Sequence, residues 1–184
     1  MFTELEYKYN ANEIRLDKFR QLIQSLGVRK HIEIASWDIY YTKPGEVDTF
    51  HRLRNGPTPE LTKKIKLSST NNFQRVEIDL PLDPIRMNTE TVAKYMELQG
   101  YQENFRIFKY CDIYVLDRIN YVYYCVYGDN LQELGRFIEV EVNKSEYNEV
   151  LAITMIRDGE KKLEQLGLVP QHRLRKSLFE LYRK

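Results

Sequence analysis

Polar and apolar positions alternate with a period of two through most of this chain, and such alternation predicts strands. It begins at once, in Glu4-Leu5-Glu6-Tyr7-Lys8-Tyr9. Glu4, Glu6 and Lys8 fall on one face of that strand and Leu5, Tyr7 and Tyr9 on the other. Alone this means little, because a half-buried antiparallel strand commonly keeps a solvated charged side. Near the other end the pattern returns. In Arg136-Phe137-Ile138-Glu139-Val140-Glu141-Val142, Glu139 and Glu141 share a face opposite Ile138, Val140 and Val142. Between these acidic strands lie three that carry guanidinium or ammonium groups on one face. Arg52 and Arg54 share a side in residues 50–54, as do Thr62, Lys64 and Lys66 in residues 60–66. In residues 74–80, Arg75, Glu77 and Asp79 oppose Val76, Ile78 and Leu80. A merely solvated face would mix its signs more freely.

The remaining elements follow from the same pattern. Residues 31–42 read as a strand containing Trp37-Asp38-Ile39-Tyr40-Tyr41, and Phe105-Arg106-Ile107-Phe108-Lys109-Tyr110 begins another. Lys109 stands there among apolar neighbours, so it either snorkels to the rim or meets an anion inside. A hairpin turn at Asp117-Arg118-Ile119-Asn120 leads to a strand over 121–127, and a second over 129–135 leads to the closing acidic strand. Pro44-Gly45 and Asn55-Gly56-Pro57 mark turns, 68–72 a polar loop, and 81–84 a break in the sheet. Helical spacing takes over in four places. Residues 10–26 carry Leu16, Phe19, Leu22, Ile23 and Leu26, with Gly27 as the stop. Residues 89–98 are capped by Thr89, turn Thr91, Val92, Tyr95 and Met96 inward, and stop at Gly100. Residues 145–166 read as mostly helical, interrupted near Asp158-Gly159, with Glu160-Lys161-Lys162-Leu163-Glu164 as a solvated face. A last short helix covers 172–182.

Composition narrows the class. The chain of 184 residues suits one domain, 1–184, with a sizeable core. Its 28 Lys and Arg against 27 Asp and Glu give a net charge of +1, which argues against binding duplex DNA. An anionic ligand in a locally basic cavity stays open. Cys111 and Cys125 fit neither a metal spacing nor a secreted disulfide framework. With no basic-then-apolar leader and no apolar run of the ~20 residues a membrane helix needs, the expectation is a soluble cytoplasmic protein, or one of the host cytoplasm if viral. His31, His51 and His172 fall off the charged faces and read as structural or surface residues, and Trp37 reads as packing.

Taken in order, these motifs resemble the CYTH superfamily, or triphosphate tunnel metalloenzymes. Glu4-x-Glu6-x-Lys8 looks like that family's opening strand, Asp38-Ile39-Tyr40-Tyr41 like its D-x-Y segment, and Arg52-Leu53-Arg54 like its L-R-x-R strand. Leu61-Thr62-x-Lys64, Arg75-x-Glu77 and Lys109 match later motifs. Asp129-x-Leu131-x-x-Leu134-Gly135-x-Phe137-x-Glu139-x-Glu141 resembles the closing hairpin, and Lys176-Ser177-Leu178-Phe179-Glu180-Leu181 the C-terminal helix. One departure is Cys111, where the family carries an arginine; either one phosphate ligand is missing, or Arg106 or Arg118 substitutes.

The resemblance implies an α+β fold, an eight-stranded antiparallel β-barrel with surrounding helices and a charged tunnel inside. It implies Mg²⁺ or Mn²⁺ held by Glu4, Glu6, Glu139 and Glu141, with Glu77 and Asp129 as further candidates. Lys8, Arg52, Arg54, Lys64, Arg75 and Lys109 would grip the phosphates, and Lys109, Glu4 and Glu6 would carry the catalysis. The activity implied is metal-dependent hydrolysis of a small-molecule triphosphate (inorganic tripolyphosphate, a nucleoside or thiamine triphosphate) or of an RNA 5′-triphosphate end. Two alternatives are a class IV-type adenylyl cyclase and a binding module that sequesters a triphosphate without turnover. No membrane partner is expected.

Overall fold

The structure, a computed structural model, describes residues 2–46, 48–66, 74–83, 85, 88–142 and 149–183, with backbone alone for 2–4, 74, 75 and 149. Its eight strands are β1 (Phe2–Asn10), β2 (Lys30–Thr42), β3 (Thr49–Asn55), β4 (Glu60–Lys66), β5 (Gln74–Pro81), β6 (Gln102–Val115), β7 (Ile119–Tyr127) and β8 (Glu133–Val142). They close into a barrel in the order β1-β5-β4-β3-β2-β6-β7-β8, every neighbouring pair antiparallel. β1 is the staggered closure: Phe2 to Leu5 pair with β5, and Glu6 to Asn10 with β8. Closing the sheet turns one face of each strand inward, and for β1, β3, β4 and β8 it is the charged one. The expected fold class is the one observed.

Helices cover much of the apolar outer face. α1 (Leu16–Gln24) and α3 (Glu149–Leu163) pack on Tyr7, Tyr9, Tyr121, Tyr123, Ile138 and Val140, all buried. α2 (Thr89–Leu98) lays Val92 and Met96 against Leu53 and Tyr41. α4 (Leu178–Tyr182) is the last element. Trp37 packs its ring 5.5 Å from Phe108, and His31 stacks on Tyr114 while contacting the buried Asp112 at 2.9 Å; both read as packing residues.

Several boundaries differ from the expectation. α1 begins only at Leu16, because Ala11 N–H still donates to the Arg136 carbonyl and prolongs the sheet edge. Asn88, not Thr89, caps α2; its side chain accepts from the Thr91 amide, which a carboxamide does well. Thr91 and Tyr95 face outward, Tyr95 being 57% exposed. The final helix shrinks to α4, preceded by a 3₁₀ turn at Pro170–His172, because Ser177 and Glu180 form a reciprocal capping box that starts it late. Glu160 is buried rather than solvated: it accepts from the Tyr9 hydroxyl and the Arg173 guanidinium. The loop 68–72 and helix residues 145–148 lie outside the described residues.

α3 also runs unbroken through Gly159. The glycine is there for closeness, not for a break. A Cβ on it would meet Ile119 Cδ1 at 2.8 Å and Val140 Cγ2 at 2.9 Å, and its carbonyl accepts from the Tyr121 hydroxyl at 2.9 Å. Ile119 could yield, but Val140 is fully buried and stiff. Gly159→Ala should therefore lose about 1–2 kcal/mol on urea unfolding, overpacking outweighing the ~1 kcal/mol that alanine gains in helix propensity. A stabilised variant would refute the close approach.

Candidate functional site

The inward faces enclose a cavity of about 250 Å³. Glu6, Lys8, Arg52, Arg54, Lys64, Glu77, Lys109, Glu139 and Glu141 all line it. Such side chains come from six strands far apart in sequence, and only the closed sheet unites them. Glu4 and Arg75 face each other in the β1–β5 register; their side chains lie outside the described ones.

The acidic corner belongs to β1 and β8. Glu6, Glu139 and Glu141 offer carboxylate oxygens all within 4.8 Å of one another. Lys8 ties two of them together, its Nζ 3.2 Å from Glu6 and 3.0 Å from Glu139. The Tyr124 hydroxyl donates to Glu139 at 2.6 Å and Asn120 Nδ2 to Glu141 at 2.9 Å, so both acids are held in orientation. An all-oxygen donor set of this kind fits a hard divalent ion such as Mg²⁺ or Mn²⁺. Burial and the Glu139 carboxylate both push the Tyr124 phenol well up, so it remains a donor.

The basic wall belongs to β3 and β4, with Lys109 from β6. Arg54 forks onto Asp38 at 2.9 and 3.2 Å, and Lys109 Nζ lies 3.8 Å from the same carboxylate and 4.3 Å from the centre of the Tyr124 ring. Arg52 reaches Glu60 at 2.8 Å and Thr62 at 3.0 Å, and Lys64 reaches Glu77 at 3.3 Å. Lys109 is 7% exposed and faces the cavity, which excludes the rim alternative. Burial alone would raise the Asp38 carboxyl, but Arg54, Arg52 and Lys109 outweigh it and hold it far below the usual range. Burial alone would likewise lower Arg52, and Asp38, Tyr40, Glu77 and Glu60 reverse that.

Not every expected residue arrives. Asp129 is exposed in the β7–β8 turn, at the end of β8 remote from Glu139; six residues of strand from Glu133 to Glu139 span roughly 20 Å. A tight hairpin cannot fold that carboxylate back into the acidic corner. Glu77 enters the cavity on the basic side, engaged by Lys64 and by Arg52 at 3.6 Å. Neither Arg106 nor Arg118 replaces an arginine at Cys111. Arg106 forks onto Glu103 at the surface at 2.6 Å, and Arg118 lies 3.9 Å from Asp117 in the β6–β7 turn.

Other contributors escaped the sequence reading of charged faces. Asp38, fully buried, carried a signal in its alternation with Ser36 and Tyr40, but nothing local named its partners. Glu60 shares parity with Thr62 and Lys64 and could have been found so. α4 closes part of the cavity: Ser177, Leu178 and Phe179 line it, and Phe179 stacks on Phe50 at 4.4 Å. Lys66 pins that helix through Glu180 at 2.8 Å; against burial, this pair and the Ser177 contacts lower the Glu180 carboxyl to about 2.

No protein-family model matches the sequence, and no curated protein matches it either. Solved structures do. The PH1012 protein of Pyrococcus horikoshii OT3 superposes with a TM-score of 0.77 at 19% identity, covering 98% of this chain and 99% of that one. A conserved protein of Pyrococcus furiosus gives 0.73 at 21% identity, covering 97% and 99%. A proposed adenylate cyclase from Vibrio parahaemolyticus gives 0.69 at 14% identity, covering 98% and 97%. At these identities the likeness is one of fold. The shared fold is the eight-stranded antiparallel barrel with helices outside it. No described helix is long and apolar enough to cross a membrane.

Proposed function

We propose that this chain is a metal-dependent phosphohydrolase that removes the terminal phosphate from a triphosphate bound inside the barrel. One observation carries the reading: three carboxylates within 4.8 Å of one another open into the same cavity as Arg52, Arg54, Lys64 and Lys109. Buried charges are costly unless paired, ligated or wet, and a metal-bound phosphate chain between these walls would meet both of them. Glu6, Glu139 and Glu141, with Glu4 by resemblance, would hold Mg²⁺ or Mn²⁺. The ion would neutralise phosphate oxygens and lower the pKa of water.

The chain's own residues do the rest. Arg52 and Arg54 grip phosphate oxygens through forked N–H groups, and Lys8, Lys64, Lys109 and, by resemblance, Arg75 supply charge. A carboxylate of the acidic corner orients the attacking water and takes its proton. The new bond joins that oxygen to the terminal phosphorus, and the anhydride P–O bond in line with it breaks. Negative charge then gathers on the departing diphosphate, facing the basic wall. A purely sequestering protein would work with that wall alone, so the carboxylates favour turnover.

The test is a panel of triphosphates with Mg²⁺ or Mn²⁺, scored for orthophosphate, pyrophosphate and cyclic nucleotide. Orthophosphate is expected, and Lys109→Ala should cut its release by about a hundredfold or more, the loss of a buried charge contact made in the transition state. Cyclic nucleotide with pyrophosphate would replace this reading by a cyclase. Tight binding without product would replace it by a sequestering module.

A further inference from the structure

The cavity wall is not charged all round. Where β2, β6 and β7 run beyond the β3–β4 hairpin, it is lined by Ile34, Cys111, Ile113 and Val122. The four adjoin in the sheet: Ile34 is opposite Cys111, and Ile113 opposite Val122. This apolar patch touches the charged site on two sides. Val122 is opposite Glu139, and Lys109 precedes Cys111 by one inward position on β6. Burial pushes the Cys111 thiol up, so it stays neutral and apolar in character.

The patch is built in rather than a gap in a basic wall. Tyr124, fully buried, is opposite Cys111 and fills the space beside it; its ring lies under Lys109 and its hydroxyl holds Glu139. Ile34 and Ile113, by contrast, are only half-buried. Apolar surface left wet in this way is unfavourable by about 25 cal/mol per Å², and a ligand group covering it would recover that free energy. Inorganic tripolyphosphate has nothing to put there.

We propose that this wall is a subsite for a compact apolar or aromatic group esterified to the phosphate chain, so that organic triphosphates are preferred over inorganic tripolyphosphate. The inference rests on the proposed function, and the two can fail separately.

Phenyl triphosphate and inorganic tripolyphosphate are compared by kcat/KM for orthophosphate release with Mn²⁺, in the wild type and in Ile113→Ser. A preference for the phenyl compound of roughly tenfold or more is expected, the usual range for one buried apolar contact. In the variant the ratio should fall towards one. Ile113→Thr, closer in shape, serves if the serine variant does not fold. Equal or reversed wild-type preference, or a ratio that neither variant moves, would overturn the subsite while leaving the hydrolase reading intact. If neither compound turns over, the hydrolase reading fails and calorimetric binding of the same two with Mn²⁺ decides. Tighter binding of the phenyl compound then supports the subsite, and equal or weaker binding ends it.

Discussion

Glu139→Gln should reduce triphosphate turnover by roughly two to three orders of magnitude, since losing several kcal/mol of metal-borne stabilisation costs a factor of ten for each 1.36 kcal/mol. The substitution keeps the shape that Tyr124 and Lys8 engage, at 2.6 and 3.0 Å, but removes one of three clustered negative charges. Mn²⁺ affinity, read by titration calorimetry, should weaken in parallel. Folding should not suffer much. Lys8 keeps Glu6 at 3.2 Å, and relief of repulsion from Glu6 and Glu141 offsets the lost pair. Glu4→Gln is expected to behave alike if the resemblance assigns it correctly. Wild-type turnover in the Glu139 variant would remove the acidic corner from the mechanism.

Asp38→Asn should strike stability instead. The carboxylate is fully buried, takes both forks of Arg54 and lies 3.8 Å from Lys109, so its removal strips Lys109 of that counter-charge and leaves Arg54 with Glu60 at 3.5 Å. Breaking a buried pair from one side costs about 3–5 kcal/mol, measurable by urea unfolding at neutral pH. The pH dependence has a definite sign. The folded-state pKa of Asp38 is depressed below its ordinary 3.8, so its contribution is fully present above that pH and is lost as pH falls below it. The gap between wild type and variant should therefore shrink on acidification below about pH 4. A gap that stays constant there would mean the carboxylate acts by shape alone. The same variant should gain more thermal stability from added tripolyphosphate than the wild type does, because Lys109 would then lack its internal anion and Arg54 would keep only the longer contact to Glu60.

Much of the site was legible before any fold was known, because a strand's side-chain period is local and short. Parity alone grouped Glu6 with Lys8, Arg52 with Arg54 and Glu139 with Glu141, and each group does share a face. A shift of one residue would have sent every one of them outward, so the pattern is strict. Parity could not say where along the barrel a residue would stand. Asp129 has a suitable carboxylate in a suitable motif, yet the hairpin leaves it outside, far along β8 from Glu139.

Partnerships between distant segments were equally hidden. Glu160 sits in a run that reads as a solvated helix face, but docking of α3 buries it against Tyr9 and Arg173. Gly159, read as a helix break, is instead the point where α3 comes closest to β7 and β8. Cys111 showed only that an arginine was missing; Tyr124, thirteen residues on and across the sheet, is what stands beside it. The sequence by itself determined which residues share a face and what chemistry each face carries. The closure of the sheet decided which faces meet, because strand pairing and helix docking depend on contacts between segments that no local period records.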